Sequence, residues 1–337
     1  GGMLLFVTGS DLLILFVGLE IMSLPLYLLA GMARRRRLLS QEAAMKYFLL
    51  GAFSSGFFLY GAAMLYGFAG TVDLGGIADA VNANAGQNGL LIAGMALISV
   101  GLFFKVAAVP FHQWAPDVYQ GSPTSITSFM AACVKLAAFG AMLRIMYVAL
   151  GGLRWDWRPM FWVIAILTMF VGVIIALAQT DVKRMLAYSS VAHAGFLLIA
   201  VIATNEQGLG GAMFYLLAYG VATIGAFGVV SLVRDSTGEA THLSSWAGLG
   251  KRSPWVAGAF TVFLLSFAGI PLTAGFIGKF AVFEAGVAGG AGWLVVAAVL
   301  ASAIAVFFYG RVIVIMFFTE PQADGPTVVI PSSFTAI

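Results

Sequence analysis

The feature that most constrains this sequence is its succession of long stretches with almost no charge. They can be read at about 12–32, 43–69, 89–110, 124–150, 160–178, 185–204, 207–233, 254–283 and 291–318. A bilayer core takes about 20 mostly apolar residues per helix, so nine spans are expected, preceded by a shorter apolar stub. Of the 337 residues 61% are apolar and only 9% charged, where an ordinary soluble domain carries about 25% charged residues. The expected fold class is therefore all-α, a polytopic membrane helix bundle. A scattered net charge of +3 gives no reason to expect a nucleic-acid partner. Cys133, the single cysteine, leaves no disulfide scaffold, iron–sulfur cluster or cysteine-built zinc site in this chain. No GxGxxG, P-loop or HExxH motif supports nucleotide hydrolysis or local redox chemistry, and no cofactor is expected in the chain itself.

Charge in the loops sets an orientation. Arg34 to Arg37, Lys183, Arg184, Arg234, Lys251 and Arg252 fall on one side, and only Arg154 and Arg158 on the other. The positive-inside rule places the first set in the cytoplasm. The Arg34–Arg37 run reads as a topology anchor, with a lipid-headgroup site as the alternative. All seven tryptophans fall near expected helix ends or in loops, as an interfacial belt would. The opening GGMLLFVTGS has no charged leader or cleavage pattern, so the chain is expected to be a fragment that begins partway through a helix.

Six basic residues remain inside the spans or at their edges: Lys46, Lys105, Lys135, Arg144, Lys279 and Arg311. Glu20 and His193 join them. A charge at the bilayer centre costs roughly 2.5–3.5 kcal/mol, so these groups must be paired, hydrated or neutral. Arg144 and Arg311 lie near span ends and can snorkel. Lys46 stands four residues after Glu42, an ion-pair spacing, and is a further candidate whose role stays open between structure and function. Glu20, Lys105, Lys135 and Lys279 lie deeper and read as functional, and so does His193 in YSSVAHAGF against the alternative of a packed histidine.

Prolines sharpen this reading. Pro25 follows Glu20 by five residues and Pro110 follows Lys105 by five. A proline inside a helix removes the hydrogen bond to the carbonyl four residues back, here those of Ile21 and Val106. Pro271 does the same to Phe267 in LSFAGIPLTAGFIGKF. Irregular backbone at membrane depth survives only where it is buried in protein or lines a cavity, so broken helices are expected. Lys279 lies eight residues beyond Pro271, about 12 Å of helix. It is expected past the break rather than on it, as the exit-side group facing the non-cytoplasmic half.

The ionisable residues also recur at a nearly constant offset: Glu20 with His193, Lys105 with Lys279, Lys135 with Arg311. The chain then divides into a first unit at 1–150, a second at 151–319 and a loop at 320–337. Five helices per unit is an odd number, so the second unit is inverted, the pattern of ion-coupled transporters. Lysines in a low-dielectric setting can load and release protons near neutral pH, and histidine does so readily. A sodium site would favour clustered carboxylates, but Glu20 is the only clearly central one. Protons are the expected cargo. Glu20 and Lys105 are expected within water-bridged reach of each other, and Lys135 and His193 to carry protons between the units.

The segments LFVGLEIMSLPLYLLAG, EAAMKYFLLGAFSSGFFLYG, GLFFKVAAVPFHQWAPDVYQGSPTSITSF, QTDVKRMLAYSSVAHAGFLL and LSFAGIPLTAGFIGKF resemble the antiporter-like membrane subunits of the proton-pumping NADH:quinone oxidoreductase, respiratory complex I, in particular the subunit N family. The resemblance covers essentially the whole chain. It implies a proton relay of Glu20, Lys105, Lys135, His193 and Lys279, with Lys105 and Lys279 on the two broken helices and His193 as the bridge. It also implies neighbouring membrane-arm subunits as partners, with flavin, iron–sulfur clusters and quinone held by other subunits. A multi-pass place in the bacterial inner membrane follows as well, and family helices missing at both ends of this chain. Subunits of secondary cation/proton antiporters or membrane-bound hydrogenases are the alternative, and a purely structural membrane-arm subunit is another.

Overall fold

At membrane depth no water can satisfy exposed backbone groups, so an apolar chain closes its hydrogen bonds within each segment as helix. The computed structural model describes residues 1–33, 37–83, 89–235, 238–321 and 325–329. Their helices are α1 (Gly2–Thr8), α2 (Leu12–Ala30), α3 (Arg37–Ala69), α4 (Leu74–Ala83), α5 (Gly89–Val106), α6 (Trp114–Gly121), α7 (Thr124–Phe129), α8 (Lys135–Arg144), α9 (Arg154–Ala178), α10 (Val182–Ala203), α11 (Glu206–Leu232), α12 (Leu249–Arg252), α13 (Pro254–Ala268), α14 (Ala274–Ala288) and α15 (Gly292–Phe318). A π-helical turn at Met130–Val134 joins α7 to α8, and another at Ile145–Ala149 follows α8. Short polar side chains start several helices by capping their first free N–H groups: Asp11 on α2, Asp181 on α10, Asn205 on α11 and Thr273 on α14.

Among the described residues, eight helical stretches are long and apolar enough to cross a membrane. The ninth expected span, 254–283, is divided into α13 and α14 of 15 residues each. The span expected at 89–110 likewise stops at Val106, and α6 resumes on the far side of Pro110. Both interruptions use left-handed backbone: Ala107 at φ 59° in the first, Gly269 at 80° and Leu272 at 75° in the second. Pro25, by contrast, sits inside an unbroken α2.

Freed backbone groups at the interruptions find side-chain partners, as buried peptide groups must. The Trp114 indole donates to the Phe104 carbonyl at 2.9 Å, and the Val109 amide donates to Thr168 Oγ1 at 3.0 Å. In the second interruption the Gly275 amide donates to Ser266 Oγ at 3.1 Å. A Cβ on Gly275 would lie 1.9 Å from the Ser266 carbonyl oxygen, so the two halves meet only because residue 275 has no side chain. Gly275→Ala should therefore destabilise the fold by about 1–3 kcal/mol, the usual cost of overpacking. Gly228→Ala, with nothing within 4 Å of its would-be Cβ, should be neutral. Thermal unfolding of the two variants in detergent makes the comparison, and equal midpoints would show that the halves can part without cost.

The centre of the bundle is α10, buried at every position except Arg184 and packed by α6, α9, α11, α14 and α15. The outward faces of α2, α3, α9, α11 and α15 carry exposed Leu, Val, Ile and Phe. One expectation changes. The segments read as loops hold structure of their own: α4 before α5, and a three-stranded sheet in the order β2-β1-β3 from β1 (Val233–Asp235), β2 (Gly238–Glu239) and β3 (Thr327–Val328). The tryptophans differ in their burial. Trp155, Trp255 and Trp293 are exposed, whereas Trp114, Trp157 and Trp246 are buried, each indole N–H donating to a backbone carbonyl. Arg34–Arg36 and most of 320–337 lie outside the described residues.

A buried line of protonatable groups

Lys105, Lys135, His193 and Lys279 are all buried, at most 4% exposed. Among the described residues, none has a carboxylate within 4 Å. Their neighbours are neutral hydroxyls, carbonyls and aromatic rings.

Lys105 stands in the last turn of α5. Its Nζ donates to Ser23 Oγ on α2 at 2.7 Å, and the rings of Tyr27, Tyr47 and Phe104 surround the ammonium with centroids at 5.7, 5.6 and 5.8 Å, within cation–π range. Ser23 lies three residues, one helical turn, beyond Glu20 on α2 and itself donates to the Leu19 carbonyl. Glu20 keeps Oε1 buried with no hydrogen-bond partner among the described residues. Ser23, on the same turn of α2 as Glu20, is thus the group in contact with Lys105.

Lys135 opens α8 next to the π turn and donates through Nζ to both the carbonyl and the hydroxyl of Ser190 on α10, the latter at 2.6 Å. Its ammonium lies 5.6 Å from the Tyr219 ring, which in turn faces His193 at 4.7 Å. His193, one turn beyond Ser190, has a hydroxyl on each ring nitrogen: Tyr215 at Nδ1, 2.6 Å, and Tyr309 at Nε2, 3.3 Å.

Lys279 corrects an expectation. Its backbone is past the second break, on α14, but its side chain turns back onto it. Nζ donates to the carbonyls of Phe267 at 2.9 Å and Ala268 at 3.0 Å, and to Ser302 Oγ at 2.8 Å. The reason is local. Pro271 frees the Phe267 carbonyl, and a helical lysine leans toward the N-terminus of its own helix, here toward that carbonyl. Lys279 and Lys105 thus both sit at helix breaks.

Lys46 belongs to a different cluster on the side assigned to the cytoplasm. It pairs with Glu42 and Asp117, each at 2.6 Å, and Arg184 of α10 takes the other oxygen of Asp117 at 2.6 Å and Gln120 at 3.1 Å. Lys183 donates to the Ser122 carbonyl at 2.7 Å and reaches Glu239 at 3.4 Å. These contacts tie α6 to both α3 and α10. Burial alone would raise the Asp117 carboxyl, but hydrogen bonds from Lys46 and Arg184 hold it below its ordinary range. The tie is therefore complete at neutral pH and is lost only as pH falls through that lowered value.

Arg311 is structural, its guanidinium donating to the carbonyls of Leu177 at 2.9 Å and Gln179 at 2.6 Å at the end of α9. Arg144 lines an apolar groove with Val7, Tyr147, Leu209 and Met213. Sequence reasoning passed over Asp117, although it stands in the conspicuous VPFHQWAPDVYQG stretch. It also passed over the hydroxyls of Ser23, Ser189, Ser190, Tyr215, Ser302 and Tyr309. Hydroxyls in apolar spans were the available signal.

Residues 9–305 match a family described as the NADH:quinone oxidoreductase/Mrp antiporter, transmembrane. The NADH-quinone oxidoreductase subunit N of Rhodococcus opacus is 68% identical over 336 residues, covering 100% of this chain and 62% of that protein; that of a Parafrankia species is 65% identical, covering 99% and 64%. The chain thus spans less than two thirds of the length of these curated relatives. Among solved structures, a chain of respiratory complex I from Thermus thermophilus superposes with a TM-score of 0.85 at 40% identity, covering 98% of this chain and 71% of that one. A chain of the Mrp complex from a Dietzia species superposes at 0.87 with 27% identity, covering 95% and 59%. With a family match over residues 9–305 and relatives this similar over its whole length, this chain belongs to the NADH:quinone oxidoreductase/Mrp antiporter family of multi-pass membrane proteins.

Proposed function

We propose that the chain is the translocating core of a subunit N-type membrane-arm subunit of an NADH:quinone oxidoreductase, moving protons through Glu20, Lys105, Lys135, His193 and Lys279. The observation that carries this reading is the line of four buried groups whose partners are all neutral. A structural ammonium at membrane depth would be expected to hold a carboxylate. One that touches only hydroxyls and carbonyls gains little from keeping its proton and can hand it on. Lys105 and Lys279 sit at helix breaks, where a small backbone shift changes the carbonyls and hydroxyls they meet. Lys135 docks against α10 at Ser190, one turn from His193 on the same helix. Glu20, one turn from the Lys105 contact, favours charge on that lysine.

The driving chemistry belongs to other subunits, expected to carry flavin, iron–sulfur clusters and quinone, and the bacterial relatives point to the plasma membrane of a bacterium. The likeness to the Mrp complex chain favours a second reading, a cation/proton antiporter subunit with the same relay and no redox module. Affinity purification of the full-length subunit from its native membrane separates them: one large NADH-oxidising assembly is expected. In vesicles containing equal amounts of that assembly, His193→Met and Lys135→Met should each suppress NADH-driven proton uptake. Unchanged uptake in both would remove the relay, and purification with an assembly that does not oxidise NADH would favour the second reading.

A further inference from the structure

We propose that Tyr309 and Tyr215 are the two groups through which His193 exchanges its proton, Tyr309 on the side of Lys135 and Tyr215 on the side of Lys279. This rests on the relay reading above and adds to it the atoms that connect the histidine.

The argument begins with helix spacing. Ser189, Ser190 and His193 share one turn of α10, because residues three and four apart lie on one face. Ser190 holds the Lys135 ammonium. Its neighbour Ser189 is hydrogen-bonded to the Tyr309 hydroxyl, and that hydroxyl reaches His193 Nε2 at 3.3 Å. On the other face of the ring, Tyr215 lies 2.6 Å from Nδ1. Tyr215 in turn packs against the turn of α14 that bears Lys279. A Cβ on Gly278 would fall 2.9 Å from Tyr215 Cδ2 and 3.1 Å from its Cα, so a glycine there is what admits the tyrosine. Phe267, whose carbonyl holds Lys279, sets its ring 5.6 Å from the imidazole and 6.0 Å from the Tyr309 ring. All these side chains are buried. A histidine meant only to fill space needs one polar partner at most; this one has a hydroxyl, both donor and acceptor, at each nitrogen.

The transfer balances without net change at the hydroxyls. His193 begins neutral with its proton on Nδ1, donated to the Tyr215 oxygen, and with Nε2 accepting from Tyr309. A proton leaving Lys135 passes by way of Ser190, a bridging water and Ser189 to Tyr309, which gives its own proton to Nε2 as it receives the new one. The imidazolium so formed loses its Nδ1 proton to Tyr215, which releases its own toward Lys279. The ring is left neutral with its proton on Nε2 and must return to the Nδ1 form before the next transfer.

The test uses the full-length subunit in its intact assembly, reconstituted in vesicles, with variants Tyr309→Phe and Tyr215→Phe, which keep the ring packing, and Ser189→Ala, which leaves the Tyr309 ring in place. NADH-driven proton uptake per assembled complex should fall at least about tenfold in either phenylalanine variant, about what one lost hydrogen bond to a charged group is worth. Its solvent deuterium isotope effect should rise as the damaged transfer becomes limiting. A purely structural role for the tyrosines would leave that isotope effect unchanged. If a phenylalanine variant fails to assemble, Ser189→Ala carries the same expectation for the Tyr309 side. Normal uptake and isotope effect in the assembled variants, beside a blocked His193→Met, overturns this inference and leaves the relay standing. Normal uptake in His193→Met as well means that the relay reading itself has failed.

Discussion

Lys279→Arg should suppress NADH-driven proton pumping about a hundredfold or more, nearly as far as Lys279→Ala, the scale expected when a proton-transfer group is removed. Arginine keeps its charge at any working pH and so cannot release a proton. The site also has no space for it. Lys279 Nζ is held by the Phe267 and Ala268 carbonyls and Ser302, and a Cβ at Gly269 would lie only 2.9 Å from Lys279 Cδ. A guanidinium must push that turn aside at an overpacking cost of about 1–3 kcal/mol. The measurement is proton uptake and quinone reduction per assembled complex, compared across lysine, arginine and alanine. An arginine variant with full coupled pumping would show that positive charge alone matters at this break.

Lys105→Met should be comparably severe. Methionine fills much the same space among Tyr27, Tyr47 and Phe104 but carries no proton. The orphaned Ser23 hydroxyl can still donate to the Leu19 carbonyl, so the fold should hold and the loss should fall on pumping. Ser23→Ala removes one hydrogen bond to the ammonium and should cost roughly 1.5–3 kcal/mol of local interaction at most. Glu20→Gln should fall between the two, because it removes a charge that is near Lys105 but not in contact with it. The ordering Lys105→Met, then Glu20→Gln, then Ser23→Ala is the discriminating result. If Lys105→Met pumps normally in an assembled complex, proton transfer does not run through the first broken helix.

Much of the architecture could be read from the sequence, because charge at membrane depth and proline in an apolar run are both costly. Pro110 and Pro271 marked two real breaks, and the carbonyl that Pro271 frees is one that Lys279 takes. Pro25 looked equivalent, but α2 absorbs it without interruption, since a helix packed by its neighbours can tolerate one missing bond. The positions of Lys105, Lys135, His193 and Lys279 were legible as anomalies. Their partners were not: which hydroxyl meets which ammonium depends on how α2, α10, α11 and α15 turn toward one another, and spacing along the chain does not carry that. Asp117 escaped for the opposite reason. It stands among ordinary polar residues, and only the meeting of α3, α6 and α10 makes it a junction.

The enclosure of α10 bears on how such a molecule is made. A segment with Lys183 and Arg184 at one end carries Ser189, Ser190 and His193 along its middle, yet it enters the bilayer before α11, α14 and α15, which follow it in the chain. Until they arrive, its imidazole and hydroxyls face acyl chains or one another. Biogenesis therefore passes through a stage in which polar groups at the centre of the finished protein are not yet enclosed. The closing of α11, α14 and α15 around that helix is the step that takes these groups out of contact with lipid.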